Sequence, residues 1–290
     1  MAEVKDKIIN VESLKAVYDL LNNKIKLYNP TNLLDNSDFK NPINQRCIVS
    51  GSTIPQSNYF FDRWLTIDDC VVSFDSTGTT ITGGQINQML GNLTNLVGKK
   101  VTVACKFTDD VVLCGSGTVT NTGIWNTFAW GESGNRSVFL SNCNNLNLWD
   151  FRIACDGATL EWAALYEGEY TTETLPEYKP KGYGAEYTEC RRYFRKHAIY
   201  TKLPAVITWE GKLEVWLNGE VQMRTSPTVS ACPMCLIVNG NHVTIESITP
   251  EAVHNEHGKF GLYYNGNYSD YASHSCWIEI NSELTISADF

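Results

Sequence analysis

The chain has 290 residues, 43% of them hydrophobic and 19% charged, a balance that excludes a disordered protein and leaves room for two ordinary domains beside a long helix. Its 23 basic and 32 acidic side chains give a net charge of −9 with no basic face, which argues against binding nucleic-acid phosphates. The start MAEVKDKIIN lacks the apolar core of a signal peptide, and no run reaches the roughly eighteen apolar residues of a membrane span, so a soluble protein made in a cytoplasm is expected.

Residues 1–30 read as a coiled coil. Val4, Lys7, Val11, Leu14, Tyr18, Leu21, Ile25 and Tyr28 follow alternating steps of three and four, and only Lys7 breaks the apolar series. A helix of about 40 Å is marginal in water unless that stripe is buried, and no other helix in the sequence is able to cover it. Further copies of the chain are the expected cover. Ile8 and Val17 widen the stripe past a dimer seam while Lys15 and Lys24 supply flanking charge, so a homotrimer is expected. Its contacts would be Val4, Val11, Leu14, Tyr18, Leu21, Ile25 and Tyr28. The alternative is a helix packed on its own monomer. Asn29-Pro30 ends the helix, since proline cannot continue it.

From residue 31 to 176 short segments rich in Val, Ile, Thr and aromatics alternate with Gly, Asn, Ser and Asp clusters, the pattern of an all-β sandwich. Strands are expected at 71–75, 79–82, 85–89, 100–108, 111–114, 124–130, 137–140, 146–155 and 159–165. Val101, Val103, Cys105 and Phe107 alternate with Thr102, Ala104 and Lys106, as in a half-buried strand. Trp149, Phe151, Ile153 and Cys155 repeat the pattern, which places Trp149 in the core. Ten cysteines spread through such segments are expected to be reduced thiols.

Residues 177–194 read as a linker and short helix: extended chain through the prolines and glycines of Thr171–Gly184, then a helix over Ala185–Phe194. Residues 195–290 are again β-rich, with strands expected at 205–209, 213–217, 234–238, 242–248, 260–264, 277–280 and 284–288, which suits a second, smaller β-sandwich.

Several motifs carry a family likeness. Asn32-Leu-Leu-Asp-Asn-Ser-Asp-Phe39, Asn41-Pro-Ile-Asn-Gln-Arg46, Asp62-Arg-Trp64, the stretch from Leu96 to Val103 and the stretch from Leu160 to Gly168 together resemble the jelly-roll domain of bacteriophage fibre proteins, itself similar to carbohydrate-binding modules. The passage from Leu175 to Tyr183 into Glu189-Cys-Arg-Arg-Tyr-Phe194 resembles the join between jelly roll and terminal domain in phage tail-fibre and head-fibre proteins. Met223–Val229 and Leu284–Phe290 resemble that terminal domain. The resemblance implies a virion location after assembly in the bacterial cytoplasm. It also raises a structural calcium near the first strand, with Asp35 or Asp38 as donor, although both suit turns.

Catalytic signatures are thin. No Gly-x-Ser-x-Gly elbow is present, and the neighbours Asp68–Asp69 and Asp109–Asp110 would point to opposite faces of a strand instead of facing each other across a glycosidic bond. Cys232-Pro-Met-Cys235 and His254-Asn-Glu-His257 have the spacing of half zinc sites, each short of four converging ligands. No metal or cofactor is expected. The loop-like run from Tyr263 to Ser275 sets Tyr263, Tyr264, Tyr268 and Tyr271 among Asn265, Asn267 and small polar residues, a composition suited to recognition or to a turn with aromatic flanks. Trp130, beside Gly-Glu-Ser-Gly, suits either a rim contact or a core cap.

These readings combine into a mainly β, non-enzymatic phage appendage: an N-terminal coiled coil, a jelly-roll β-sandwich and a smaller β-sandwich. Its partners would be itself, other virion proteins and a host-surface glycan or protein, met through Tyr263, Tyr264, Asn265, Asn267, Tyr268, Tyr271 and Trp130. A structural decoration or baseplate adaptor is the alternative, and a surface-polysaccharide depolymerase a third reading.

Overall fold

The structure, a computed structural model, describes residues 11–18, 30–91, 93–120, 127–130, 136–143, 148–155, 157–208, 210–218, 222–248, 252–256, 259–264, 268–271 and 275–289. Residues 11–18 form helix α1, and every one of them is exposed, including Val11 at 80% and Tyr18 at 65%. The seam residues Val4, Leu21, Ile25 and Tyr28 lie outside the described residues.

Among the described residues twelve strands follow: β1 (Ser52–Ile54), β2 (Tyr59–Phe61), β3 (Trp64–Thr66), β4 (Cys70–Asp75), β5 (Gly78–Thr82), β6 (Gln85–Leu90), β7 (Lys100–Phe107), β8 (Val112–Thr118), β9 (Thr127–Trp130), β10 (Ser137–Cys143), β11 (Leu148–Ala154) and β12 (Thr159–Glu167). They make two six-stranded antiparallel sheets, in the orders β1-β4-β5-β12-β7-β8 and β2-β3-β6-β11-β10-β9. Both sheets feed one core, in which Val101, Val103, Cys105 and Phe107 of β7 meet Trp149, Phe151 and Ile153 of β11. Trp149 is buried there, as its alternation predicts.

One expectation fails on β7. Thr102 and Ala104, assigned to a solvent face, are fully buried. The chain after β12 folds back over that face, where Ala164, Tyr166 and Tyr170 form a small second cluster with Trp162 and Leu175 against it. Thr102 Oγ1 donates to Gly168 O at 2.9 Å and accepts from the Tyr170 N–H at 3.0 Å, so its hydroxyl is satisfied in the dry site. The linker is thus part of the first lobe's packing.

Helix α2 (Tyr183–Cys190) starts after Gly182, whose φ of 84° lies in the left-handed region that glycine adopts without strain. It is shorter than the predicted Ala185–Phe194 because Phe194 already opens β13 (Phe194–His197), paired with the last strand. The remaining strands are β14 (Lys202–Ile207), β15 (Leu213–Asn218), β16 (Thr228–Val229), β17 (Cys232–Val238), β18 (Asn241–Ile248), β19 (Ala252–Glu256), β20 (Lys259–Tyr264), β21 (Ser275–Ile280) and β22 (Leu284–Ser287). A seven-stranded antiparallel sheet, β18-β17-β21-β14-β15-β20-β19, and a three-stranded one, β13-β22-β16, share a second core. Leu213, Val215, Leu236 and Ile278 contribute from the large sheet and Leu284 and Ile286 from the small one.

Candidate functional site

Several of the segments singled out in the sequence meet at one buried polar junction between the lobes. Asn36 is held at φ 51° by its own side chain, which accepts from the Ile43 N–H at 2.6 Å and donates to the carbonyls of Ile43 and Asp62. Its carbonyl takes the indole N–H of the buried Trp64 at 2.7 Å. Its backbone N–H donates to Glu186 of α2. Asn32 ties the same segment to β12, accepting from the Leu165 N–H and donating to Ala163 O.

Charge is concentrated here. Arg63, 1% exposed, donates through Nε to Asp35 Oδ2 at 3.0 Å and through an Nη to Met89 O at 2.7 Å, with its guanidinium 3.6 Å from the centre of the Tyr193 ring. Lys181 bridges Asp35 Oδ1 at 3.3 Å and Glu189 Oε2 at 2.7 Å. Burial would push the Asp35 carboxyl up, but Arg63 and Lys181 outweigh it and hold it below the ordinary value. Burial raises Glu186 and Glu189. Nearby, Arg46 reaches Asp289 at 2.5 Å and stacks over Phe194, while Gln45 donates to Asp62 and to Phe194 O. Burial lifts Asp62 to about 6, although the Gln45 hydrogen bond and Arg46 pull the other way.

Asp35, Glu186 and Glu189 bring one oxygen each within 4.8 Å of the others, a geometry able to hold a cation. The Lys181 ammonium already lies against two of the three. Asp38, the other aspartate suggested for calcium, accepts from the Lys40 N–H and the Asn41 amide, which is turn chemistry. The Cys232–Cys235 spacing does not chelate either: on β17 the first thiol is buried and the second half-exposed, on opposite faces, and Cys235 lies 3.4 Å from His242 Nδ1.

The predicted recognition residues separate. Tyr264 corrects the expectation: it is 1% exposed in the second core, because it follows Leu262 in β20 with a two-residue period and both point inward. Tyr268 and Tyr271 are half-buried and pack against that core. Asn265 and Asn267 lie outside the described residues, as do the side chains of Tyr263 and Trp130.

Another aromatic, Trp277, is open to solvent, with a half-buried tryptophan on the same sheet face. Cys276, Ile278 and Ile280 of β21 point into the core, so Trp277 stands on the outer face of the seven-stranded sheet, 52% exposed. Register places it opposite Ile237 of β17 on one side and Pro204 of β14 on the other. Ala205 pairs with Val215, and one residue further Trp216 of β15 comes abreast of Pro204. Trp216 shares the outer face, since Leu213 and Val215 alternate inward. Sequence reading missed this row, although the alternation in Ser-Cys-Trp-Ile-Glu-Ile carries the signal. Around the rim of the protein, a cleft of about 340 Å³ lies between Asn44, Cys47, Tyr183, Tyr187 and Lys196.

Searches of protein-family models and of the curated proteins find no match to this chain. What fold and surface define is a mainly β, two-lobed protein with an exposed helix at one end and an aromatic strip on one sheet face.

Proposed function

We propose that this chain is a trimeric phage virion appendage that attaches to the host surface. The first lobe is read as a jelly roll, the second as a smaller β-sandwich, and the N-terminal segment as a three-stranded coiled coil. The observation that carries the reading is α1: Val11, Leu14, Val17 and Tyr18 are between 52% and 80% exposed, and nothing among the described residues covers them. An isolated helix with a bare apolar stripe is marginal in water, so packing against other copies explains how it persists. Three linked lobes would then raise the avidity of modest single contacts.

Light scattering on the intact chain and on a version lacking residues 1–28 tests this. The expected result is three times the 32.5 kDa chain for the first and one for the second. A monomer in both would refute it.

A further inference from the structure

We infer that the outer face of the seven-stranded sheet is a stacking platform for an extended, uncharged polysaccharide, with Trp277 and Trp216 as the ring-binding residues and Pro204 between them. The inference rests on the attachment reading and names its ligand class and its residues.

The geometry is that of a strip. Ile237, Trp277, Pro204 and Trp216 occupy four neighbouring strands in one line across the sheet, by register and by its continuation. Adjacent strands lie about 4.8 Å apart, so the two tryptophans stand about 10 Å apart and the strip spans roughly 14 Å. A proline in a central strand is tolerated only where its missing N–H is not needed. Pairing of β14 with β15 starts one residue later, at Ala205, so Pro204 sits where that ladder lapses.

Chemistry on either side narrows the occupant. A sugar ring has one apolar C–H face and a rim of hydroxyls, so it asks for a flat apolar surface with hydrogen-bonding groups beside it. Beyond the strip on one side Lys202 is paired with Glu279 at 3.6 Å, and on the other lies Glu214, two residues before Trp216. With Lys202 offset by Glu279 and a net charge of −9 over the chain, the face offers an anionic polymer no positive field, which matches an uncharged one. A protein partner is favoured less: its anchors sit in well-packed pockets, whereas this strip is one residue wide on an open sheet.

Affinity electrophoresis of the full chain tests the inference, in native gels containing a soluble neutral β-glucan, a soluble N-acetylglucosamine polymer, or the polyanion alginate. Retardation by at least one neutral polymer and not by alginate is expected, weakened at least ten-fold by Trp277→Ala and largely retained by Trp277→Tyr. Because Trp277 is half out of the protein, the variant's unchanged circular dichroism checks that folding is intact. No retardation by either neutral polymer overturns the inference, as does equal retardation of wild type and Trp277→Ala. A lower solution mass for Trp277→Ala also overturns it, because the face would then be a contact between copies. The appendage reading fails separately, on the mass of the intact chain.

Discussion

Removing the charge of Asp35 should expose how far the lobes depend on their junction. Arg63 is almost fully buried and has Asp35 as its carboxylate partner at 3.0 Å. With an effective dielectric constant near 20, two unit charges about 4 Å apart attract by about 4 kcal/mol. Asp35→Asn keeps an oxygen for the Arg63 Nε–H but leaves a guanidinium in a dry site without its counter-charge, a change that typically costs about 3 to 5 kcal/mol. Lys181 retains Glu189 at 2.7 Å and loses less. We expect Asp35→Asn to destabilise the first lobe by about 3 kcal/mol, and the double variant Asp35→Leu with Arg63→Met to recover at least about 1 kcal/mol of the summed single losses. Equilibrium urea unfolding followed by tryptophan fluorescence and circular dichroism measures both. A loss below about 1 kcal/mol for Asp35→Asn, or strict additivity in the cycle, would refute the account of the junction.

Other consequences are as direct. Asp62 has its folded pKa raised from 3.8 to about 6, so its contribution to stability is complete below about pH 4 and is lost as pH rises through about 6. The loss amounts to up to about 3 kcal/mol; Asp62→Asn should flatten the stability profile between those values, and an unchanged slope by thermal melts at stepped pH would contradict it. A Cβ added at Gly78 would stand 2.4 Å from Leu160 O at a φ of 155°, so Gly78→Ala should cost at least about 2 kcal/mol in urea unfolding. The Trp162 and Tyr178 rings stack at 4.9 Å and 2°, with the Tyr178 hydroxyl 3.2 Å from Ser37 Oγ. Tyr178→Ala should loosen the linker by about 1 kcal/mol or more, read as faster tryptic cleavage after Lys181; unchanged cleavage would mean the stack holds nothing down.

Much of the strand pattern was legible because local chemistry and burial agreed. Val238-Asn239-Gly240-Asn241 carries a two-residue hairpin turn, and both central residues take positive φ, 50° and 79°, as that turn requires. The short strands β1, β2, β3, β13, β16 and β19 were not read. They have two to five residues each, too few for a period to show, and some exist only through a partner distant in sequence: Thr228–Val229 is a strand because Ser287 and Ile286 lie beside it. The same limit explains β7, whose buried second face depends on a chain segment more than sixty residues later, beyond the reach of a period-two pattern.

Reading the surface failed for a different reason. A run of tyrosines among Asn, Gly and Ser suggests a loop by composition, but composition ignores which way each ring points. The predicted strand Phe260–Tyr264 already implied that Leu262 and Tyr264 share a face, and one leucine on that face is enough to send Tyr264 into the core. Trp277 obeys the same rule with the opposite result: Cys276 and Ile278 point inward, so the ring between them is left to solvent. A large aromatic on an edge-free central strand gains nothing for the fold by standing outside, and burying it would withdraw apolar area from water at about 25 cal/mol per Å². Its position is therefore better explained by a contact made outside the chain, which is why the sheet face, and not the tyrosine-rich turn, is the surface to test first.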